Sequence, residues 1–397
     1  MPGDAGRSRS AVGWSGWIAL GVALLLTGVG VSSIFAGEAA DWSEAALTQR
    51  QIAFAATGLV AAICIARIGH TRIGEWSYVL YGLILLLLVL LVVARRVPLD
   101  PIFPVRRNTA RWIQLGPLQA QPSEYAKIVV VLALARYLRF RSNYRTVGGL
   151  IAPFLLTLVP TALILKEPDL GTALLFPPVL LIMLYAAGAR RRHLACVLGA
   201  AAVAAPLFYF SPLMDDYQRQ RIEVLVRQND SDRRWQMGPG FQLRQSKIAI
   251  GSGRWTGQDQ EDTAFFRHNL LPEDQNDFIF AVIGHQGGFI GASLIVFAYV
   301  VLFAAGLTAA SGTDEPYARL VGVGLSGILV MQALVNMGMT VGLMPITGVT
   351  LPFVSSGGSS LVANYLSIGL LISVARRQPI RIARKPFEYS VTDAATT

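Results

Sequence analysis

Residues 76–94 read WSYVLYGLILLLLVLLVVA, nineteen positions without a charge. As an α-helix this stretch is about 28 Å long, close to the roughly 30 Å of a bilayer's hydrocarbon core. One such run fits a buried core helix, but this chain has ten in series. They lie near 12–36, 52–69, 76–94, 123–138, 147–165, 170–189, 194–211, 277–305, 316–342 and 359–375. The fourth is short and carries charge. The expected fold is all-α and integral to a membrane: one domain over 1–397 with about ten transmembrane helices. Composition agrees, with 53% hydrophobic and only 15% charged residues, where soluble domains carry about a quarter.

The net charge of +10 would suggest nucleic acid in a soluble protein. Here the cations sit in short loops between apolar runs, so the partner they indicate is membrane lipid, not nucleic acid. Alternate loops are basic: Arg7/Arg9, Arg67/Arg72, Arg139/Arg141/Arg145, Arg190–Arg192 with His193, and the tail Arg376, Arg377, Arg381, Arg384 and Lys385. With ten spans these fall on one side, so the positive-inside bias predicts that both termini are cytoplasmic. The first apolar run is long and has no clear small-residue cleavage site, which reads as a retained anchor. Cys64 and Cys196 read as small core residues, without a disulfide framework. Residues 386–397 read as a disordered tail.

Three outward segments exceed simple turns: 95–122, 212–276 and 343–358. The 212–276 segment, between the seventh and eighth helices, is the large extracytoplasmic loop. Polar groups near hydrocarbon are costly and need a reason, and four clusters stand out on this outer face. In RWIQLGPLQAQPSEYAK (111–127), Pro122 suits a first helical position. Glu124 and Lys127 can pair at i, i+3, or Lys127 or Arg111 can face an anionic ligand. In KEPDLGT (166–172), Asp169 fits a helix cap, a partner for a basic residue or a ligand for a divalent cation. In PEDQNDFIF (272–280), Asp277 opens an apolar helix. It fits a cap or, with its pKa raised by desolvation, a general base. GLMPITGVTLPFVSSGGSS (342–360) is irregular backbone, tolerated at membrane depth only where protein or a cavity surrounds it, and its N–H groups can hold phosphate oxygens. Their convergence points to an amphiphilic, anionic substrate.

These pieces resemble the SEDS family (shape, elongation, division and sporulation). The match rests on RWIQLGPLQAQPSEYAK, KEPDLGTALL, FQLRQSKIAIGSG, PEDQNDFIFAVIG and NMGMTVGLMPITGVTLPFVSSGGSS, in family order over roughly 105–365. The resemblance implies a ten-helix membrane glycosyltransferase of the cell (inner) membrane, with its active site on the extracytoplasmic side. Such an enzyme polymerises lipid II into peptidoglycan glycan strands and releases undecaprenyl pyrophosphate. It works beside a class B penicillin-binding protein that cross-links the strands. The family's essential acid maps onto Asp277, the acid of its PDLGT motif onto Asp169, and the Glu and Lys of QPSExxK onto Glu124 and Lys127. Arg111, Gln245, Ser246 and Ser359 fall on matching motifs as substrate-binding residues. KEPDLGTALL and NMGMTVGLMPITGV are closer to the elongation (RodA) branch than to the division (FtsW) branch. The sequence departs from the family at Glu167 (usually Gln), Asn276 (often Thr), Ser356 (often Tyr), Arg254 (usually Gly), and His285 and Gln286 (usually acidic). His285 reads as a helix-packing substitution.

The implied chemistry inverts an α-linked donor to a β-1,4 link. Asp277 takes the acceptor hydroxyl's proton, and the pyrophosphate leaves as an anion that needs positive charge. Lys127, Arg111, Arg244 or a divalent cation (Mg²⁺ or Mn²⁺) on Asp169 are the candidates, with no other cofactor expected. The rival readings are a lipid II flippase, which would show polar groups at mid-bilayer and on both faces, and a scaffold that only recruits cell-wall enzymes.

Overall fold

The computed structural model describes residues 4–38, 45–97, 102–104, 109–116, 118–139, 146, 148–211, 214–228, 232, 237–258 and 276–376. The helices are α1 (Asp4–Glu38), α2 (Ala46–Ile68), α3 (His70–Glu75), α4 (Ser77–Ala94), α5 (Pro122–Arg139), α6 (Ile151–Lys166) and α7 (Leu170–Ala187). They continue with α8 (Arg191–Tyr209), α9 (Asp216–Val226), α10 (Phe241–Ser252), α11 (Ile279–Ser311), α12 (Pro316–Val341) and α13 (Gly358–Arg376). A hairpin, β1 (Ile113–Leu115) and β2 (Leu118–Ala120), pairs antiparallel with Gln114 opposite Gln119 and precedes α5.

Among the described residues nine helices are long and apolar enough to cross a membrane: α1, α2, α4, α6, α7, α8, α11, α12 and α13. The chain is a multi-pass membrane protein. The tenth expected span is α5, which carries Glu124, Lys127, Arg136 and Arg139. It tolerates them because it packs against α4, α6, α7, α12 and α13, and Ala126–Ala135 are all buried. The expected tail at 386–397, and Arg141, Arg145, Arg377, Arg381, Arg384 and Lys385, lie outside the described residues.

Without a hydrophobic drive between helices in lipid, close backbone approach supplies the packing. The contact of α13 with α1 and α2 shows it. A Cβ on Gly369 would stand 2.8 Å from Ala62 Cα, and one on Gly16 would stand 2.9 Å from Ile372 Cα. The expected burial of the cysteines is not observed. Cys64 on α2 and Cys196 on α8 are both exposed. A thiol is a small hydrophobe, and a bilayer accepts it on the outer surface of a bundle as readily as inside.

Two features go beyond the sequence reading. The 212–276 loop contains α9 and α10. The eighth span is longer than expected and breaks at Gly288, whose φ of 60° and ψ of −159° are not helical. Residues 253–258 fill this break: Phe289 N–H donates to Arg254 O (2.8 Å), Ile290 N–H to Trp255 O (3.1 Å), and Gln258 N–H to His285 O (3.0 Å). The kink is thus satisfied by the loop's own backbone, as membrane-depth irregularity requires.

Candidate active site

The beginnings of five helices meet at one cavity of about 370 Å³. Arg50 and Gln51 come from the start of α2, Gln121 and Glu124 from α5, and Asp169 and Thr172 from α7. Asn276 and Asp277 lie just ahead of α11, and Gly358 and Ser360 open α13. Arg111, Trp112 and the stretch Gly348–Thr350 complete the wall. Each helix start presents roughly half a positive charge, so the cavity attracts an anion before any side chain is counted.

Asp277 sits in a turn, because the helix begins at Ile279, two residues later than an opening at 277 predicts. The residue before the helix is Phe278, which provides no side-chain cap. A Cβ placed on Gly348 would lie 3.2 Å from Asp277 Oδ2 and 3.6 Å from Arg221 Nη1. Carboxylate and guanidinium therefore flank the same bare glycine, whose φ of +74° suits a residue without a side chain. Asn336 of α12 fixes the backbone around them. Its fully buried amide donates to Asp277 O (2.8 Å) and to Val349 O (2.6 Å).

The irregular segment between α12 and α13 is held by side chains. Gln51 donates to Ser355 O (3.0 Å), Gln332 to Thr350 O (2.9 Å), and Tyr299 to Pro352 O (2.6 Å). Arg221 donates to Ile346 O (2.9 Å). This is the price of running non-helical backbone beside a bilayer.

The sequence-predicted residues divide into two groups. Asp277, Arg111, Glu124 and Asp169 share the cavity. Lys127 stands behind it, 2% exposed, donating to Glu124 Oε2 and to Gln332 Oε1, both at 2.7 Å. It is the buried ion pair of the two alternatives, and among the described residues the cations that line the cavity are Arg50 and Arg111. Asp169 is the helix cap: Oδ1 accepts from Thr172 N–H (3.1 Å), and Oδ2 from Ser123 Oγ (3.0 Å) and Gln121 Nε2 (3.3 Å). Both oxygens are committed, and the described residues hold no group of three or more His, Cys, Asp or Glu suited to a metal. Among the described residues the positive groups that line the cavity are Arg50, Arg111 and the helix starts.

Ser246 and Ser359 serve as joints. Ser246 Oγ donates to Thr340 O (2.8 Å), tying α10 to the end of α12. Ser359 Oγ donates to Gln119 O (3.1 Å) and accepts from Gln121 N–H (3.2 Å), tying α13 to the hairpin. Gln245 is half-buried on α10, and Arg244 is exposed. None of these four is among the described residues lining the cavity. His285 is buried, with Nδ1 2.6 Å from Ser252 Oγ, and joins α11 to α10.

The turn between α6 and α7 buries an acid beside the site. Arg111 Nε donates to Glu167 O (2.7 Å), and its terminal nitrogen to Pro168 O. The Glu167 side chain is fully buried, and neither oxygen has a hydrogen-bond partner among the described residues. Burial pushes its carboxyl up to about 9; Asp169 adds to the rise and Arg111 opposes it. Burial without a hydrogen-bond partner among the described residues thus favours the neutral acid at pH 7.

Sequence reading missed Arg50, Gln51, Arg221 and the role of Asn336. Arg50 and Gln51 are polar residues at the head of an apolar helix (ALTQRQIAF), a signal that was available. Arg221 lies on a short loop helix, and nothing local marks it.

The fold and cavity define a polytopic membrane protein whose carboxylates Glu124, Asp169 and Asp277 share a chamber with Arg50, Arg111 and a ring of helix starts. Its matches are of that kind. The family model FtsW/RodA/SpoVE, described as cell cycle protein, matches residues 13–379. Peptidoglycan glycosyltransferase MrdB of Escherichia coli K12 is 32% identical over 351 residues, covering 88% of this chain and 91% of its own. Stage V sporulation protein E of Bacillus subtilis is 31% identical, covering 89% and 95%. A probable peptidoglycan glycosyltransferase FtsW of Geobacter metallireducens is 33% identical, covering 83% and 84%. Among solved structures, a chain from work on coordination of polymerization and crosslinking by a peptidoglycan synthase complex superposes with TM-score 0.74 at 30% identity, covering 91% and 97%. The rod shape determining protein RodA of Thermus thermophilus gives 0.65 at 28%, covering 91% and 96%. This chain belongs to the FtsW/RodA/SpoVE family.

Proposed function

We propose that this chain is a peptidoglycan glycosyltransferase that polymerises lipid II at the extracytoplasmic face of the cell membrane, with Asp277 as general base. The observation that carries the reading is the placement of Asp277 in one cavity with Arg50, Arg111 and five helix starts. The acceptor sugar's 4-hydroxyl gives its proton to the Asp277 carboxylate as its oxygen attacks C1 of the donor. The C1–O bond to pyrophosphate breaks with inversion. The departing anion is stabilised by the two arginines and the helix starts and needs no proton. Asn336 and Gly348 set where Asp277 stands.

The relatives' names support the activity. The likeness to a chain of a synthase complex that polymerises and crosslinks supports a crosslinking partner, a class B penicillin-binding protein. The motifs KEPDLGTALL and NMGMTVGLMPITGV support an elongation role over a septal one. The test is purified protein with fluorescent lipid II and a gel for glycan ladders. Wild type gives ladders without another glycosyltransferase, and folded Asp277→Asn gives none. Ladders from Asp277→Asn sink the base assignment, and lipid scrambling across vesicles without polymer turns the reading to a transporter.

A further inference from the structure

The helices α2 and α13 reach from the catalytic cavity to the far side of the bundle. Arg50 and Arg67, both on α2, are about 25 Å apart along its axis. At the far end lies a second cavity, of about 250 Å³, between α1, α2 and α13. Its walls are aliphatic: Leu20, Leu59, Ile63 and Ile372. Two cations also line it, Arg67 in the last turn of α2 and Arg376 in the last turn of α13, together with Trp17 near the start of the membrane-spanning part of α1 (Gly13–Ala36). Leu59 lies about 12 Å deeper than Arg67 along the helix.

A guanidinium in the last turn of a helix complements that helix's negative end. That explains each arginine singly, but not why both face one apolar chamber whose described lining holds no acidic residue. Arg376 Cζ lies 4.9 Å from the centre of the Trp17 ring. Stacking engages the face of the guanidinium and leaves its N–H edge to donate. An indole beside two arginines at helix ends, above an aliphatic slot, matches the two parts of a phospholipid: a headgroup phosphate and an acyl chain. A zwitterionic headgroup would bring an ammonium against two cations, and an anionic headgroup brings none.

We propose that this cavity is a binding site for an anionic phospholipid, with the phosphate on Arg67 and Arg376 and an acyl chain along Leu20, Leu59 and Ile63. The lipid would bridge α1, α2 and α13. The site is independent of the reaction proposed for Asp277.

The test is native mass spectrometry of the full chain, taken from nanodiscs of equal phosphatidylglycerol and phosphatidylcholine into detergent. Wild type should retain one phosphatidylglycerol in preference to phosphatidylcholine. Arg67→Gln/Arg376→Gln should retain it roughly thirtyfold less well. Arg67→Lys/Arg376→Lys keeps both charges and should keep the preference, which separates lost charge from a folding defect. Ile63→Trp should fill the slot and lose the lipid with both arginines intact. Equal retention of the two lipids by wild type overturns the proposal, as does wild-type phosphatidylglycerol retention by Arg67→Gln/Arg376→Gln.

Discussion

Asn336→Leu keeps the volume of a fully buried side chain and removes its two donors. Asn336 donates at 2.8 Å to Asp277 O and at 2.6 Å to Val349 O. A net hydrogen bond contributes about 1 kcal/mol, and a carbonyl left buried and unpaired costs about 1–3 kcal/mol. Two such losses destabilise the protein by about 2–6 kcal/mol. The larger effect is on rate. The two bonds clamp the residue before Phe278 to the stretch containing Gly348, and so set the distance from Asp277 Oδ2 to the cavity wall. A misplacement of about 1 Å in a reacting group costs on the order of 100-fold in rate. Initial rates of ladder formation at several lipid II concentrations should show kcat falling about 100-fold with KM little changed, since Arg50 and Arg111 are untouched. Asn336→Asp puts an acceptor opposite two carbonyls and should be no better. Wild-type kcat and an unchanged thermal midpoint in Asn336→Leu would refute this reasoning.

Three further outcomes follow from the site. The Glu167 carboxyl rises from an ordinary 4.5 to about 9 on folding, so the unfolded chain binds fewer protons between those values and the group's stability contribution falls as pH rises through that window, by up to about 1.4 kcal/mol per unit. Glu167→Gln should therefore gain thermal stability over wild type progressively from pH 5 to 9 and no further above it, whereas parallel melting curves would count against a neutral Glu167. Lys127→Met leaves Glu124 buried and unpaired and should cost about 3–5 kcal/mol; adding Glu124→Gln should restore most of the thermal midpoint, and no restoration would mean that Lys127 acts through more than this pair. Gly348→Ala sets a methyl 3.2 Å from Asp277 Oδ2 at a φ of +74°, and should lower ladder yield at least tenfold while costing only about 1–2 kcal/mol of stability; wild-type yield would show that Asp277 does not work from this position.

The spans and the carboxylate that lines the cavity at Asp277 were legible because both are local signals. A run such as 76–94 declares its environment by composition alone, and Asp277 stands out as a carboxylate at the head of an apolar helix. Other parts were not legible because they depend on what lies across the bundle. Asn336 is one polar residue in an otherwise helical motif, and its bond to Asp277 spans 59 residues of sequence. Lys127 had two readings at the sequence level, and Gln332, 205 residues away, decides between them.

The cysteines and α5 show why burial in particular resists reading in a membrane protein. In water, apolarity sorts a side chain to the interior, so Cys64 and Cys196 read as core. In lipid that sorting force vanishes, and both face outward. Charge becomes the better guide, because an ionised group cannot face hydrocarbon and is driven to where other protein groups satisfy it. The helix with the composition least like a span, α5, is accordingly packed against six others, the short α3 among them, and its Glu124 opens onto the cavity that holds Asp277. The same logic applies to Arg50 and Gln51, polar residues at the head of α2 that line that chamber. A charged or amide residue inside an apolar run of such a chain therefore locates the interior, and the meeting point of several such residues locates the site.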